Sequence, residues 1–291
     1  MFSTYEFAQS LVSGLMIGAV YAVLGVGFSL TWGITKVINI AHAAFAVLAA
    51  YIAYWSIKSY GIDPVLSLIF IVPAFFLVGV GLNELVMSRV ARKTRDLGMA
   101  SMVLTFGLAG ILENSMSVAW ATDPRVLTAP YSGKSFQVSL VSIPITHAIS
   151  FVLAMLTIAV LYWFLHYTYV GRAVTAVWQD KDGAALSGVD LGRVTSITYG
   201  VALAAAGVGG VAMSLVYSFM PSTHLLWLIF VFLVVIFGGV GSVLGAALGG
   251  LIIGLVTGVT GIFIQFAWVN LVMFGLLILV LLVKPKGLMR R

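Results

Sequence analysis

Few side chains in this chain could do chemistry. Four histidines stand at 42, 147, 166 and 224, and no pair has a metal-ligand spacing such as i, i+4. Cysteine is absent, which excludes disulfides and thiolate-held metals. No Ser/His/Asp arrangement suited to nucleophilic catalysis is visible. Gly133-Lys134-Ser135 has the look of a phosphate-binding loop end, but Thr128 stands where that loop needs its first Gly, and Pro130 interrupts it. Gly238-Gly239-Val240-Gly241-Ser242 precedes a helix and could cradle an anion. It lacks Lys and lies among apolar residues, so it reads as a tight turn. Nothing here points to an enzyme, and no cofactor or metal is expected.

The polar residues that remain sit inside apolar runs, where they are costly and often functional. Asn39 and His42 stand three apart, on one face of a helix start. Glu113 and Asn114 lie toward the outer half of another run. Asn83 and Glu84 lie near an inner end, and Gln265 and Asn270 flank the last run. Each pair has two readings: a hydrogen bond that locks helices together, or the lining of a translocation path. Asn39 and His42 are the candidate gate, and Glu113 a further candidate for the path.

These residues need elements to position them, and composition says which. Of 291 residues 62% are hydrophobic and 8% charged, against about 25% charged in a soluble domain. A soluble protein this apolar would aggregate; in lipid the composition is ordinary, because helices satisfy their own backbone. The net charge of +6 fits the Lys/Arg bias of membrane proteins better than nucleic-acid binding. The first ten residues carry Glu6 and no Lys or Arg, so no cleaved signal is expected.

Apolar runs predict nine segments, near 8–31, 40–57, 64–88, 98–120, 146–167, 195–218, 224–239, 242–260 and 264–284. The seventh and eighth are short and Gly-interrupted, either two thin spans or a re-entrant pair. The fold class is therefore all-α: one polytopic transmembrane bundle over 1–291 with about 8–9 membrane segments. Lys36, the cluster Arg89, Arg92, Lys93 and Arg95, the loop residues Arg172, Lys181 and Arg193, and the tail Lys284, Lys286, Arg290 and Arg291 share one side. That side is assigned to the cytoplasm. Lys58, Arg125 and Lys134 fall outside. Residues 121–145 form the external loop and 168–194 the internal one.

Glycines recur at four-residue spacing at 245 and 249 and at 250, 254 and 258. Such rows let helix backbones approach closely. They mark Gly245, Gly249, Gly250 and Gly254, with Gly238 and Gly239 in the turn before them, as packing positions. Ala204 to Gly210 does the same in the sixth segment. The internal loop has apolar faces from Val174, Val177, Trp178, Ala184, Ala185 and Leu186 among charges, and Gly188 can end its helix in a left-handed conformation. A small amphipathic helix outside the membrane lies on lipid or docks in a partner. With few large anchors beyond Trp178, docking is the better reading.

Four ordered blocks carry a family resemblance. The first is Gly14-Leu15-Met16-Ile17-Gly18-Ala19-Val20-Tyr21-Ala22-Val23-Leu24-Gly25-Val26-Gly27, with Trp32-Gly33 and Val37-Ile38-Asn39-Ile40-Ala41-His42 after it. The second is the internal loop from Gly171-Arg172 to Gly188-Val189. The third is the 238–242 turn with Gly245-Ala246 and Gly249-Gly250. The last is Lys284-Pro285-Lys286-Gly287-Leu288. Together they resemble the H-type branched-chain amino acid permease of ABC importers. The sequence departs from that pattern at Ala43 and His224, where the family favours Gly, and at Phe230-Val231-Phe232.

The resemblance implies a role and partners. The chain would pair with an M-type permease paralogue in the inner membrane, two cytoplasmic ATPases would drive the pair, and a periplasmic binding protein would deliver the solute. By resemblance the loop of Asp182, Ala184, Ala185, Leu186 and Gly188 would be the coupling helix. The solute would be a branched-chain or other hydrophobic amino acid, or a related small molecule such as urea, an amide or a carboxylate. A self-sufficient secondary transporter or channel is the alternative.

Overall fold

The computed structural model describes residues 4–138, 141–264, 266–284 and 287, with the side chains at 4, 266, 267 and 270 excepted. Gln265, Pro285, Lys286, Leu288, Arg290, Arg291 and the Asn270 side chain lie outside the described residues. In hydrocarbon an apolar run satisfies its backbone only as a helix, and every apolar segment is one. In order they are α1 (Thr4–Leu30), α2 (Ala41–Tyr60), α3 (Leu68–Leu82) continued by a short α4 (Ser88–Ala91), and α5 (Leu97–Trp120). After a hairpin of β1 (Ser135–Val138) and β2 (Val141–Pro144) come α6 (Ile145–Tyr167), α7 (Tyr169–Gln179) and α8 (Lys181–Leu186). The chain closes with α9 (Leu191–Val216), α10 (Thr223–Gly238), α11 (Val243–Phe263) and α12 (Phe266–Val283).

Six of these stretches are long and apolar enough to cross a membrane: α1 with the turn after it, α3 with α4, α5, α6, α9 and α11. The protein is a polytopic helical membrane bundle. The other three segments are helices of a different kind. α10 is short, and α2 is rich in Ala and Tyr and largely buried among its neighbours.

Small residues concentrate where helices meet. α9 is the hub, in contact with α1, α2, α3 and α6, and from Ala202 to Leu215 nearly every residue is buried. A Cβ on Gly210 would strike Ala46 O of α2, and one on Gly79 of α3 would strike Tyr199 O. Large side chains do the opposite work. Val103, Phe106 and Val118 of α5, Ile69 and Leu77 of α3 and Val152 and Leu156 of α6 are exposed on the rim, as lipid-facing or partner-facing residues must be.

The two glycine rows of α11 serve two neighbours. Gly250, Gly254 and Gly258 lie against Ala22, Gly18 and Gly14 of α1, while Gly245 and Gly249 lie against Gly238 and Val234 of α10. Gly258 O also accepts from the Ser10 hydroxyl, so α11 runs antiparallel to α1 along most of its length. α10 runs the other way: Phe230 stacks on Tyr21 at 4.5 Å and Gly241, past its end, donates to Ser29 Oγ.

One local departure from an all-helical chain is the hairpin in the 121–145 loop, paired antiparallel from Ser135↔Pro144 to Val138↔Val141. Gln9 of α1 holds it, donating to Ser142 O and accepting from Ser142 N. Arg125 and Phe219 exchange backbone bonds that tie the 121–134 loop to the approach to α10. In the same layer Tyr131 donates to Asp63 at 3.4 Å. Burial, with the Asp63 charge beside it, pushes the Tyr131 hydroxyl up to about 12.

Candidate functional site

The inner cluster begins where α1 loses its regularity. Thr31–Thr35 form a π-turn and Lys36 adopts a left-handed conformation at φ 59°, which an L-residue takes at a cost. Residues 36–39 then run without regular structure into α2. Two side chains of α5 satisfy this unwound backbone. Ser101 Oγ accepts from Ile38 N at 3.1 Å and Thr105 Oγ1 from Ile40 N at 3.0 Å, while the Thr105 hydroxyl proton is in reach of both Ser101 O at 2.7 Å and Ile38 O at 3.0 Å.

Asn39 and His42 share this cluster but not one helical face. Asn39 precedes α2, and the link between them is backbone, His42 N donating to Asn39 O at 3.1 Å. The reason is that α2 starts at Ala41, which leaves Asn39 in the unwound segment. His42 Nε2 donates to Leu24 O of α1 at 3.1 Å, and its ring meets Phe28 edge-on. Both residues are buried, and Asn39 Oδ1, Asn39 Nδ2 and His42 Nδ1 find no partner among the described residues. A neighbouring pocket of about 410 Å³ is lined by Thr35 and Val37 of the same segment, with Asn83, Arg92 and Lys181.

The outer cluster was only half visible in sequence. Glu113 sits seven residues before the end of α5, about 10 Å below it at 1.5 Å per residue. Its carboxylate faces His224 at the start of α10, Oε2 to Nε2 3.9 Å. His224 Nδ1 is 3.0 Å from Pro221 O. In sequence His224 is only an isolated histidine and a departure from the family pattern. The two positions are 111 apart in the chain, and nothing local links them beyond their polarity in apolar surroundings. Asn114, next to Glu113, donates to Gly110 O of its own helix and is exposed with Ser115.

Asn83 behaves differently. It is buried, and its amide donates to Ser196 Oγ at 3.0 Å and reaches Thr195 and Ser88 at 3.3 Å. This is the helix-locking reading, α3 held to α9.

At the basic end, α7 and α8 pack beneath the bundle. Thr168 caps α7 and Asp180 caps α8, accepting from Asp182 N and Gly183 N. Gly188, at φ 85°, closes α8 with Gly188 N donating to Ala185 O and Val189 N to Ala184 O. That is a Schellman ending, which Gly takes without a Cβ penalty. Of the five residues named for this loop, Ala184 turns inward. Asp182, Ala185, Leu186 and Gly188 are exposed, Leu186 to 91%. Trp178 is not available as a docking anchor: its indole lies over Gly241 of the 239–242 turn and beside Gly33 of the π-turn.

Two glycine-rich decoys resolve into turns. Gly133 is a left-handed turn residue leading into β1, with no helix after it. In the 238–242 turn, Gly241 N is taken by Ser29 Oγ and Ser242 caps α11. Among the described residues no group of three His, Cys, Asp or Glu could hold a metal ion.

Over residues 10–282 the chain matches the family described as the permease component of the branched-chain amino acid transport system. It is 28% identical to the high-affinity branched-chain amino acid transport system permease protein LivH of Salmonella typhimurium, covering 98% of this chain and 96% of the relative. Identity to BraD of Pseudomonas aeruginosa, of the same description, is 27%, over 99% and 97%. A probable LivH of Methanocaldococcus jannaschii is 28% identical over 84% of this chain and 78% of its own. No solved structure matches significantly. Six apolar membrane-length helices, a buried small-residue hub and a match along nearly the whole length agree, and the chain belongs to the branched-chain amino acid transport permease family.

Proposed function

We propose that this chain is one of two permease subunits in an ABC importer for hydrophobic amino acids, driven by ATPases on separate chains. The observation that carries the reading beyond the family is α8. It is a capped two-turn helix at the basic end with Leu186 fully turned outward. An exposed leucine on a short, firmly terminated helix suits a groove in a partner protein.

The geometry supports a route for the motion. A partner that pushes α8 moves α7, and Trp178 on α7 bears on Gly241 and Gly33. Those glycines belong to the α10–α11 turn and to the π-turn that ends α1. The unwound segment 36–40, with Asn39 and His42, follows directly. Three buried polar atoms without partners favour a segment that changes partners between states, since each costs roughly 1–3 kcal/mol while unpaired. In this reading Asn39 and His42 form the inner gate, and access alternates by rocking of packed helices.

The open side of α5 supports a second permease. It presents Glu113, Asn114 and Ser115 at membrane depth, and polar groups of that kind face a bundle interior or a water-filled path rather than lipid. An M-type paralogue covering this face would form the other wall. A periplasmic binding protein would meet the hairpin side.

The test is purification and uptake. Two ATPases should co-purify, and vesicles holding the assembly with its basic face inside should take up leucine only with internal ATP. Replacing residues 182–188 with a Gly/Ser linker should abolish solute-stimulated ATP hydrolysis; unchanged stimulation would sink the coupling assignment. The second reading is a self-sufficient secondary transporter. The Glu113–His224 contact favours it, because carboxylate and imidazole at membrane depth can relay protons. Proton-driven uptake by the chain alone would establish it.

A further inference from the structure

The outer cluster contains two acceptors turned toward each other. Pro221 O can only accept, so His224 Nδ1 at 3.0 Å carries the ring proton. In the neutral ring Nε2 is then an acceptor, and it faces the Glu113 carboxylate at 3.9 Å. That gap exceeds a direct hydrogen bond. A donor placed between the two groups can bridge that spacing.

Access is asymmetric. His224 is 2% exposed and Glu113 31%. The imidazole forms the floor, fixed by the turn that opens α10, where Thr223 Oγ1 accepts from Met220 N. The carboxylate reaches the open side of α5.

We propose that Glu113 and His224 bind the primary ammonium group of the transported solute, an inference that rests on the importer reading above. An ammonium offers three donors and one positive charge. One N–H meets the carboxylate, a second meets Nε2, and the charge offsets that of Glu113 in surroundings where an unpaired carboxylate is costly. A hydroxyl or amide supplies donors without the charge. A carboxylate lacking an amino group is repelled. The site therefore selects amino-bearing solutes at the outer half of the path.

The test uses the complete transporter in nanodiscs, with this chain labelled with ¹⁵N-histidine. Leucine and 3-methylbutylamine, which shares its side chain and ammonium, should each shift the His224 Nε2 resonance. The deaminated acid 4-methylpentanoate should not. Glu113→Gln should remove the response and, in sealed vesicles holding the same assembly, lower ATP-driven leucine uptake at least tenfold, with partial recovery in Glu113→Asp. A response to the acid and not the amine, no response to either amine, or an Nε2 already protonated at pH 7 without solute would each overturn the proposal. So would undiminished uptake by Glu113→Gln. If the wild-type assembly shows no ATP-dependent uptake of leucine, the importer reading itself fails, which is a distinct outcome.

Discussion

His42 and His224 are both buried histidines near a helix start, yet they stand in opposite situations. The functional nitrogen of His42 donates inward to Leu24 O of a neighbouring helix, and Phe28 closes over the ring. His224 spends its proton on its own turn and directs its free nitrogen at a carboxylate with access to the open side of α5. A fixed backbone acceptor makes a histidine a strut. A charged and reachable neighbour makes it a site. Asn39 complicates the inner region, since both its amide atoms lack partners beside that strut. In the gate proposed above, His42 is thus the anchored member and Asn39 the one left without partners among the described residues.

Four substitutions break or sharpen this contrast. His42→Ala should have the largest effect on the fold: it removes the donor to Leu24 O and leaves a cavity beside Phe28. The expected loss is about 2–4 kcal/mol, read as a lower unfolding temperature in detergent; an unshifted melting curve would end the strut assignment. Glu113→Gln should leave that curve unchanged while uptake falls tenfold, equivalent to about 1.4 kcal/mol. Thr105→Val removes both bonds to the unwound segment and should destabilise by about 1–2 kcal/mol. This is visible as faster hydrogen exchange at Ile40. Asn39→Leu should have the smallest effect on stability and the opposite sign, a gain of roughly 1 kcal/mol from deleting unpartnered polar atoms. Uptake should fall at the same time, and a variant that transports normally would show Asn39 to be no part of the gate.

Much of the fold was legible before any coordinates. Each apolar segment became a helix, because hydropathy is a property of a local stretch and lipid accepts little else. The glycine rows at 245/249 and 250/254 announced close approach, though not to which helix. Gly188 as a helix end was readable because only Gly takes that conformation freely. The hairpin at 135–144 leaves no signal in the sequence, since its short strands carry no long alternation. Spacing in sequence means a shared face only inside a helix, and α2 starts at Ala41, after Asn39. Trp178 looked like an anchor for a partner because an exposed loop indole usually is. Its actual seat, Gly241, lies 63 positions further along the chain.

By itself the sequence determined the solvent of this protein, the helices and which loops carry the basic residues. These depend on counts of apolar and basic residues within single stretches, and such counts survive any arrangement of the helices. Only the tertiary structure decided which polar groups meet. Glu113 with His224, Ser101 and Thr105 with the unwound segment, and Trp178 with Gly241 are each set by the packing of rigid helices distant in sequence. A shift of one helical turn would pair other residues while leaving every local pattern intact.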